Sequence, residues 1–505
     1  MDTTDRGLRP GPLRILLALL TLCLVGLGAC QAYGHGEPAS TPPPYDTAAN
    51  GLNVIIFLVD DMDDFSCQET KRFLPRSSKW LLANGRCFQN ASVSSPVCCP
   101  SRAVLHSSQL PHNNGVRRQL DAKAFRVDES LQRTLSMAGM TTYGTGKHFN
   151  GVKAWEYESG KRPSGFDSSD FWPGAKAYGY KLWNDQLDKP VKPAEDVHAT
   201  VRSGSFLRSF VTRMNAEESP FYAYVGFKAV HTDNSADTEK GRLPRATPQN
   251  SHRAVPPLDW DPEADTSDKL PIFQAELRGK PYFARLHRAR VRALYDIDDQ
   301  VDRTFRLLTE TGLLATTAVI FTSDNGYHLG QNGWETKGDP YRSAIDVPLL
   351  AYHPPAFGTG VVDRRDVGLI DVGPTVYELL DVEPVHRLDG HSLLDGRGRP
   401  GGSFYEYFRD DSLVARREAG RAPGLVPNWA MYRQGNRSYI QFYDRRGSII
   451  RHEFYADRWQ KRNLLHPSHA EDRPRERVLR KFRQRLAEAR TCAGTREAGA
   501  ARPCP

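Results

Sequence analysis

Three continuous apolar runs, each followed within a few residues by polar side chains, constrain the fold of this 505-residue chain most strongly. The runs are NVIIFLV (53–59), FYAYVGF (221–227) and TAVIFTS (317–323), and VPLLAYH (347–353) has the same texture. A strand with one face in water alternates apolar and polar residues, whereas a strand covered on both faces forms an unbroken apolar run. We therefore expect these segments inside a sheet that is covered on both sides.

Amphipathic helical patterns lie between these runs. The clearest covers 291–308 and is followed by Gly312, a typical C-terminal cap. Its apolar positions, spaced by three or four residues, are Val291, Leu294, Ile297, Val301, Phe305 and Leu308. Buried strands that alternate with such helices predict an α/β fold, a large mixed, mostly parallel sheet sandwiched by helices.

The pattern changes near residue 400. The segment 438–456 alternates apolar and polar residues and turns at Arg446-Gly447, which predicts an antiparallel hairpin. A last helix is expected over about 471–490. Its apolar stripe consists of Val478, Leu479, Phe482 and Leu486.

These patterns divide the chain into a large α/β domain at 52–399 and a smaller α+β subdomain at 400–505, with an antiparallel sheet and a basic helical tail. The formal net charge is +8. Residues 471–505 hold ten Lys or Arg and five Asp or Glu, so this tail alone supplies +5. The rest of the chain is close to balanced. A solvated basic face explains the excess better than a nucleic-acid partner, which is not expected.

The first 32 residues have the pattern of an export signal. Arginines at 6, 9 and 14 precede the apolar stretch 15–29, which is too short for a membrane span. Leu27-Gly28-Ala29-Cys30 resembles a bacterial lipobox, in which Cys30 would carry a lipid, and ordinary cleavage near Ala32 is the alternative. Residues 33–51 are expected to form a flexible linker.

This export signal predicts a location outside the cytoplasm. In a bacterium the protein would be secreted or lipid-anchored at the cell surface, and in a eukaryote it would be lysosomal or secreted. The only membrane attachment expected is a lipid at the N-terminus.

Cysteine spacing suggests two disulfides. The sequence-local pairings expected in an oxidising compartment are Cys67–Cys87 and Cys492–Cys504. On this assignment the adjacent thiols Cys98 and Cys99 stay unpaired.

Polar side chains follow three of the apolar runs. Asp60-Asp61 follows the first run, Asp324-Asn325 follows 317–323, and His231 lies four residues beyond 221–227. Ligands of open α/β sheets bind at the carboxyl ends of the strands, so these groups should converge. Crowded carboxylates repel unless a cation neutralises them, and oxygen donors favour Ca²⁺ or, less strongly, Mg²⁺. The alternative is that these residues simply form turns.

Three basic residues form a second set: Arg102, Lys147 and Lys337. Each alone has the pattern of a surface charge. Beside a cation they would form a site for a compact oxyanion such as sulfate or phosphate.

These motifs and their order resemble the type I sulfatase family, which has the alkaline-phosphatase-like fold. CCPSR (98–102) fits the signature C-x-P-S-R, with Cys98 first and Cys99 at the variable position. The resemblance runs from about 52 to 465. The further segments that carry it are FLVDDM (57–62), TSDNGYHLGQ (322–331), LIDVGPTVYELL (369–380), LDGHSLL (388–394) and EFYADRWQKRNLL (453–465). Within the family, the doubled cysteine and the following PHNNG are most similar to the sulfatases of N-acetylglucosamine 6-O-sulfate.

The resemblance implies that a formylglycine-generating enzyme oxidises Cys98 to formylglycine (3-oxoalanine) before folding completes. The hydrated aldehyde would be the nucleophile, and its second hydroxyl would help to expel sulfate. Domain 52–399 would then be the catalytic domain of a sulfuric ester hydrolase. Its substrate would be a sulfated sugar, such as a glycosaminoglycan-like polymer, or an aryl sulfate.

Residue roles follow from the same resemblance. Arg102 would orient the hydrate, Lys147 and Lys337 would hold the sulfate oxygens, and His231 would protonate the leaving alcohol. The ligands of one Ca²⁺ would be Asp60, Asp61, Asp324, Asn325 and the group derived from Cys98.

Several positions depart from the family pattern. His106, Ser107 and Ser108 stand where Leu-Thr-Gly is usual, Phe149 replaces a common histidine with His148 beside it, and Arg342 replaces a common glutamate. The alternative functions are a broad arylsulfatase, a phosphatase or phosphonate hydrolase of the same fold, and an unmodified protein that binds sulfated glycans without catalysis.

Overall fold

A computed structural model describes residues 51–150, 164–172, 176–184, 191–192, 196–233, 243–399, 401–411, 426–493 and 504. The expected export signal, Cys30 and the linker up to residue 50 lie outside the described residues. Within those ranges, no helix has the length and apolar character needed to cross a bilayer.

A nine-stranded mixed sheet contains the apolar runs found in the sequence. Its spatial order is β11-β2-β10-β7-β1-β6-β3-β4-β5. The strands, in chain order, are β1 (Asn53–Val59), β2 (Arg86–Ser92), β3 (Thr141–Gly146), β4 (Ser168–Phe171), β5 (Trp183–Asn184), β6 (Phe221–Phe227), β7 (Thr317–Ser323), β10 (Leu349–Tyr352) and β11 (Val361–Gly368). The short strands β8 (His328–Leu329) and β9 (Glu335–Thr336) pair separately.

Parallel pairing dominates the sheet, as predicted. The central strand β1 pairs in parallel with both β6 and β7. By contrast, β10 is antiparallel to both β2 and β7. Its apolar run looks like the parallel ones in the sequence because burial on both faces, rather than strand direction, produces that pattern.

Two helical layers cover the two faces of the sheet. The longer helices of the large domain are α1 (Cys98–Ser107), α2 (Leu131–Met137), α3 (Ala199–Ala216), α4 (Lys280–Glu310) and α5 (Val372–Leu380). The single-turn helices are Thr70–Phe73, Ser78–Leu81, Pro111–Asn114, Arg342–Ile345 and Pro354–Phe357.

Alternate residues of β1 separate the two layers. Ile56 packs in the core that contains α1, α2 and α5, whereas Phe57 packs in the core that contains α3 and α4. Each side chain of β1 therefore meets a helical layer, which explains its unbroken apolar run.

The C-terminal part contains a separate antiparallel sheet in the order β12-β13-β14-β15, as the sequence indicated. These strands are Ser403–Tyr407, Asn428–Gln434, Arg437–Tyr443 and Ile449–Tyr455, and helix α6 spans Glu476–Ala489. One face of the sheet packs on α6 through Phe482. The other face packs on Trp334 and Tyr341 of the large domain. The domain boundary proposed at residue 399 stays a prediction.

Both expected disulfides are present, Cys67–Cys87 and Cys492–Cys504. The first ties the segment after β1 to β2, and its loop of 20 residues restricts the unfolded chain. Cys98 and Cys99 remain free and buried.

Candidate active site

Four oxygen-bearing side chains follow the central strands directly. Asp60 and Asp61 follow β1, and Asp324 and Asn325 follow β7. The N–H of Asp324 donates to the Val59 carbonyl oxygen at 3.0 Å, and the N–H of Asp61 donates to Asp324 Oδ1 at 3.1 Å. Parallel pairing of β1 and β7 therefore brings the two polar pairs together.

One buried cluster unites these carboxylates with the signature cysteine. Ligand atoms of Asp60, Asp61, Asp324 and Cys98 all lie within 4.8 Å of one another. We call these four residues together with Asn325 the strand-end cluster. Buried carboxylates at this spacing repel unless cations neutralise them, and carboxylate and amide oxygens are the donors that Ca²⁺ and Mg²⁺ prefer. The donor set therefore fits a hard divalent ion.

Cys98 is the first residue of α1, and Val97 before it is extended. Its Sγ lies 3.4 Å from Asp60 Oδ1 and 2.9 Å from Lys337 Nζ. Burial and the Asp60 carboxylate raise the pKa of Cys98 to about 11, so its thiol is un-ionised at neutral pH. The encoded cysteine is therefore a poor nucleophile in this position.

Two lysines neutralise the carboxylates. Lys147 follows β3, and its Nζ donates to Asp60 Oδ2 at 2.6 Å. Lys337 follows β9, contacts Asp61 Oδ1 and donates to Asn325 Oδ1 at 3.1 Å. Burial opposes ionisation of both aspartates, but these ammonium groups hold the pKa of Asp60 well below its usual range and lower the pKa of Asp61 to about 2. The carboxylates are thus ionised at neutral pH.

Arg102 lies one helical turn beyond Cys98 and is fully buried. Its Nε donates to Asp324 Oδ2 at 2.8 Å, and its Nη1 donates to the Lys147 carbonyl oxygen at 2.6 Å and to Tyr224 Oη at 2.8 Å. Its Nη2 has no hydrogen-bond partner among the described residues. Arg102 therefore keeps one donor available beside Cys98 and Asp60.

His231 stands at the edge of the strand-end cluster. Its Nε2 lies 3.8 Å from Asp61 Oδ2, and its side chain is 23% exposed, which leaves it accessible to a ligand. Nδ1 lies 2.9 Å from the Thr232 carbonyl oxygen, so in the neutral ring Nδ1 carries the proton and Nε2 a lone pair. Burial and the nearby Lys228 charge lower the pKa of His231 to about 3.

The sequence analysis missed two groups near the strand-end cluster. Tyr224 lies inside the apolar run of β6, and its hydroxyl donates to the Lys147 carbonyl oxygen at 2.9 Å. Lys228 follows β6 directly; burial lowers its pKa to about 8 despite the nearby Asp60 carboxylate. Lys228 could have been found as a charge at a strand end, whereas a buried tyrosine in an apolar run gives no such signal.

The departures from the family pattern form a second buried group. The rings of His106 and His148 lie 4.9 Å apart, and we call these two residues the imidazole pair. Their ring nitrogens make no hydrogen bond to another described residue. Phe149 packs against His148 with its ring tilted by 50° and 4.1 Å between ring centroids. The imidazole pair is therefore enclosed by aromatic rings rather than by polar partners.

Arg342 links the two sheets. Its Nη1 donates to Asp346 Oδ2 at 2.8 Å and its Nη2 donates to the Gly435 carbonyl oxygen at 3.0 Å. Arg433 of β13 donates to the other oxygen of Asp346 at 2.7 Å. The residue that replaces the usual glutamate thus joins the large domain to the C-terminal sheet.

The fold and the site together define a class: an α/β protein with a buried cluster of carboxylates, basic side chains and a cysteine at the carboxyl ends of its central strands. Residues 52–382, more than half of the chain, match the family described as Sulfatase. The chain belongs to the sulfatase family.

Individual proteins with similar sequences are also named as sulfatases. Human N-acetylglucosamine-6-sulfatase is 27% identical over 438 residues, which cover 80% of this chain and 74% of the human protein. The Drosophila melanogaster extracellular sulfatase SULF-1 homolog is 27% identical over 363 residues, 68% of this chain and 31% of that protein. The chain spans less than half the length of the first curated relatives that it matches, 48% and 31%.

The fold is shared with a solved structure, that of BT4656 in complex with its substrate D-glucosamine-2-N,6-O-disulfate. The TM-score is 0.65 at 19% identity, and the match covers 86% of this chain and 97% of that chain.

Proposed function

We propose that this protein is an extracytoplasmic sulfatase that hydrolyses the 6-O-sulfate monoester of N-acetylglucosamine or a closely related sulfated glycan. The observation that carries the proposal is the position of Cys98, at the start of α1 and within 4.8 Å of three buried carboxylates. Its un-ionised thiol cannot act as it stands, and its signature is the one that implies formylglycine. Human N-acetylglucosamine-6-sulfatase, which matches 80% of the chain, supports the substrate class.

The strand-end cluster would hold one Ca²⁺ through Asp60, Asp61, Asp324 and Asn325. Three carboxylates are balanced by the cations of Lys147, Lys337 and Arg102, so a bound divalent ion leaves a net charge of about +2. An excess of this size favours an anionic ester in a buried site. When bound, Ca²⁺ and a hydrated formylglycine at position 98 would supply the nucleophilic oxygen.

The remaining residues position the ester and move protons. Lys147 and Lys337 each carry an ammonium beside Cys98 or Asp60, where they can exchange a carboxylate contact for a sulfate oxygen. Arg102 would orient the hydrated residue at position 98 through Nη2, which has no hydrogen-bond partner among the described residues. His231 Nε2 is exposed enough to meet the leaving oxygen, and the negative charge of a bound ester would raise its pKa so that it can carry the proton.

Two observations support an oxidising location. The described residues contain two disulfides, which persist outside reducing compartments. Relatives from Drosophila melanogaster carry the name extracellular sulfatase. The same proposal includes either attachment through a lipid on Cys30 or secretion after ordinary cleavage near Ala32.

Mass spectrometry of the tryptic peptide that spans residue 98 tests the proposal. We expect the mass of an aldehyde in place of the thiol in active protein. An intact thiol in every active preparation would contradict the mechanism, and an inactive thiol form would leave the alternative of a non-catalytic glycan-binding protein.

A substrate panel then separates the enzymatic alternatives. We expect N-acetylglucosamine 6-sulfate to be hydrolysed with a higher kcat/KM than the 3-sulfate or a simple aryl sulfate. Equal rates on all esters would favour a broad arylsulfatase. Faster hydrolysis of an aryl phosphate or phosphonate monoester would favour a phosphatase or phosphonate hydrolase.

A further inference from the structure

A cavity of about 690 Å³ lies next to the strand-end cluster. Its wall includes Met62 and Val230, which adjoin Asp61 and His231 in the chain, and Tyr327, two residues after Asn325. We call it the side cavity. Its volume lies within the range of about 300–1,000 Å³ that small-molecule sites occupy. None of the catalytic roles assigned above uses the residues that line it.

Arg290 lines the side cavity, and one of its guanidinium nitrogens, Nη1, is buried and has no hydrogen-bond partner among the described residues. The residue is only 2% exposed. Nε and Nη2 of the same guanidinium contact Asp63 and the Asp61 carbonyl oxygen, and the group lies 4.2 Å over the ring of Tyr327. A buried donor that is held in place but unpaired costs free energy unless a ligand oxygen meets it.

Trp459 gives the side cavity an aromatic wall. This residue of the C-terminal part lines the cavity and is 52% exposed, an unusual exposure for so large an aromatic ring. The apolar face of a sugar ring packs well against an indole, while its hydroxyls reach polar groups around it.

Asp64 adds a second polar group to the side cavity. Burial and the nearby Asp346 carboxylate raise the pKa of Asp64 to about 8, so the group is largely protonated at neutral pH. A protonated carboxyl donates a hydrogen bond to a hydroxyl or acetamido oxygen without attracting a cation.

The charges of the side cavity disfavour an anionic occupant. Its four cationic side chains are each paired with a carboxylate that also lines the cavity. The pairs are Arg72–Glu69 at 3.3 Å, Arg290–Asp63 at 2.5 Å, Arg342–Asp346 at 2.8 Å and Lys461–Asp261 at 2.5 Å. A further carboxylate, Asp259, lines the cavity as well. A uronate or a second sulfate would meet carboxylates here rather than unpaired cations.

We propose that the side cavity binds the uncharged sugar that neighbours the sulfated residue, so that the enzyme selects glycans with a neutral sugar at this position. The inference rests on the proposed function. It adds that the preferred substrate is at least a disaccharide and that its neighbouring residue is neither a uronate nor sulfated.

Three substrates test this selectivity: N-acetylglucosamine 6-sulfate alone, the same residue linked to galactose, and the same residue linked to glucuronate. We expect kcat/KM to be about tenfold higher for the galactose disaccharide than for the monosaccharide, and lowest for the glucuronate disaccharide. A glucuronate disaccharide that matches or exceeds the galactose disaccharide would overturn the inference.

Two variants test whether the side cavity is the origin of this substrate selectivity. Trp459→Ala should remove most of the tenfold advantage of the galactose disaccharide and leave kcat/KM for the monosaccharide within twofold. Asp259→Lys, an exposed change, should raise kcat/KM for the glucuronate disaccharide about fivefold relative to the galactose disaccharide. The control Ile450→Ala removes a side chain that is 51% exposed on the C-terminal sheet, and it should alter neither ratio.

A binding measurement keeps this inference separate from the proposed function. Saturation-transfer NMR with unsulfated galactosyl-N-acetylglucosamine should detect binding to the wild type that Trp459→Ala weakens about tenfold. If no sulfate ester is hydrolysed while this binding persists, the proposed function fails and the sugar site stands. If turnover is normal but Trp459→Ala changes neither binding nor any substrate ratio, the sugar site fails.

Discussion

The strand-end cluster and the imidazole pair bury ionisable groups in opposite ways. In the cluster, the carboxylate of Asp60 has the ammonium of Lys147 at 2.6 Å, and the group remains charged. In the pair, His106 and His148 have no hydrogen-bonding partners among the described residues, and burial drives both rings to the neutral form. Charge is retained at the proposed binding site for the ester, and it is excluded at His106, eight residues after Cys98 in α1.

The largest expected effect comes from the cluster. Cys98→Ala should reduce multiple-turnover sulfate release by roughly 10³-fold or more, because the nucleophile is lost. Thermal unfolding followed by circular dichroism should remain cooperative, since only one thiol is removed.

The matched control for this variant is Cys99→Ala. The Cys99 Sγ accepts from the Asn150 N–H at 2.9 Å and belongs to no carboxylate cluster in the part of the chain that the structure describes, so turnover should stay within about threefold. Continued multiple turnover by the Cys98 variant would refute the role of residue 98.

The second-largest effect is expected from calcium removal, which should affect the strand-end cluster and not the imidazole pair. Chelation should lower both activity and the free energy of unfolding, and restoring Ca²⁺ to 100 times its Kd should return about 2.7 kcal/mol of stability. Differential scanning calorimetry at several Ca²⁺ concentrations measures this effect.

Variants assign the calcium response to the cluster. Asp324→Asn should weaken the response, whereas His106→Leu should keep it in full. A calcium response that survives Asp324→Asn unchanged would show that the ion binds elsewhere.

The imidazole pair should appear in the pH dependence of stability. Burial and the Arg102 charge lower the pKa of His106 to about 3, and neighbouring Gln132 opposes this only in part. The unfolded histidine has a pKa of about 6.5. Protonation therefore adds no penalty to folding above pH 6.5, and stability is lost as the pH falls from 6.5 towards 3.

His106→Leu should reduce that loss by up to about 1.4 kcal/mol per pH unit below 6.5, with little gain at pH 7. Urea unfolding at pH 7, 5.5 and 4.5 provides the measurement. The exposed His252→Leu is the control and should leave the pH dependence unchanged. Identical slopes for wild type and His106→Leu would contradict a neutral, buried ring.

The smallest effect is expected at the end of α1. Ser108 is the C-cap and has φ 54°, in the left-handed region that glycine prefers. Ser108→Gly should therefore stabilise the protein by about 1 kcal/mol in denaturant unfolding. Ser107→Gly is the helical control and should destabilise by more than about 1 kcal/mol, because it lowers helix propensity and also removes a hydroxyl that donates to the Ala103 carbonyl oxygen at 2.7 Å and accepts from the Gln109 N–H at 3.2 Å. A loss of stability in Ser108→Gly would mean that the serine makes a compensating contact.

Sequence reasoning reached the strand-end residues because their placement follows from strand direction alone. Asp60-Asp61 and Asp324-Asn325 each follow a buried run, and two neighbouring parallel strands must end at one edge. Strand direction did not predict the position of Lys147, because nothing in the sequence marks TTYGTG as the strand that precedes it. The family resemblance supplied its role.

Features that depend on distant packing were missed. Helix α4 begins at Lys280, although its heptad-like stripe is clear only from Val291. Phe283 and Leu286, in its first turns, pack on Tyr327, which follows β7, and on Leu329 of β8. Such contacts join segments some forty residues apart, and local periodicity does not encode them. The hydroxyl of Tyr224, the unpaired donor of Arg290 and the side cavity belong to the same category.

The burial of Cys98 has a practical consequence for preparing this protein. The residue is 1% exposed, so an enzyme that must bind the chain around it would have to act before folding is complete. Under the proposed mechanism, molecules in which Cys98 escapes oxidation during synthesis would stay inactive yet remain normally folded. Specific activity would then depend on the expression host and on the supply of its maturation machinery, and denaturing a sample before labelling would count the unconverted fraction.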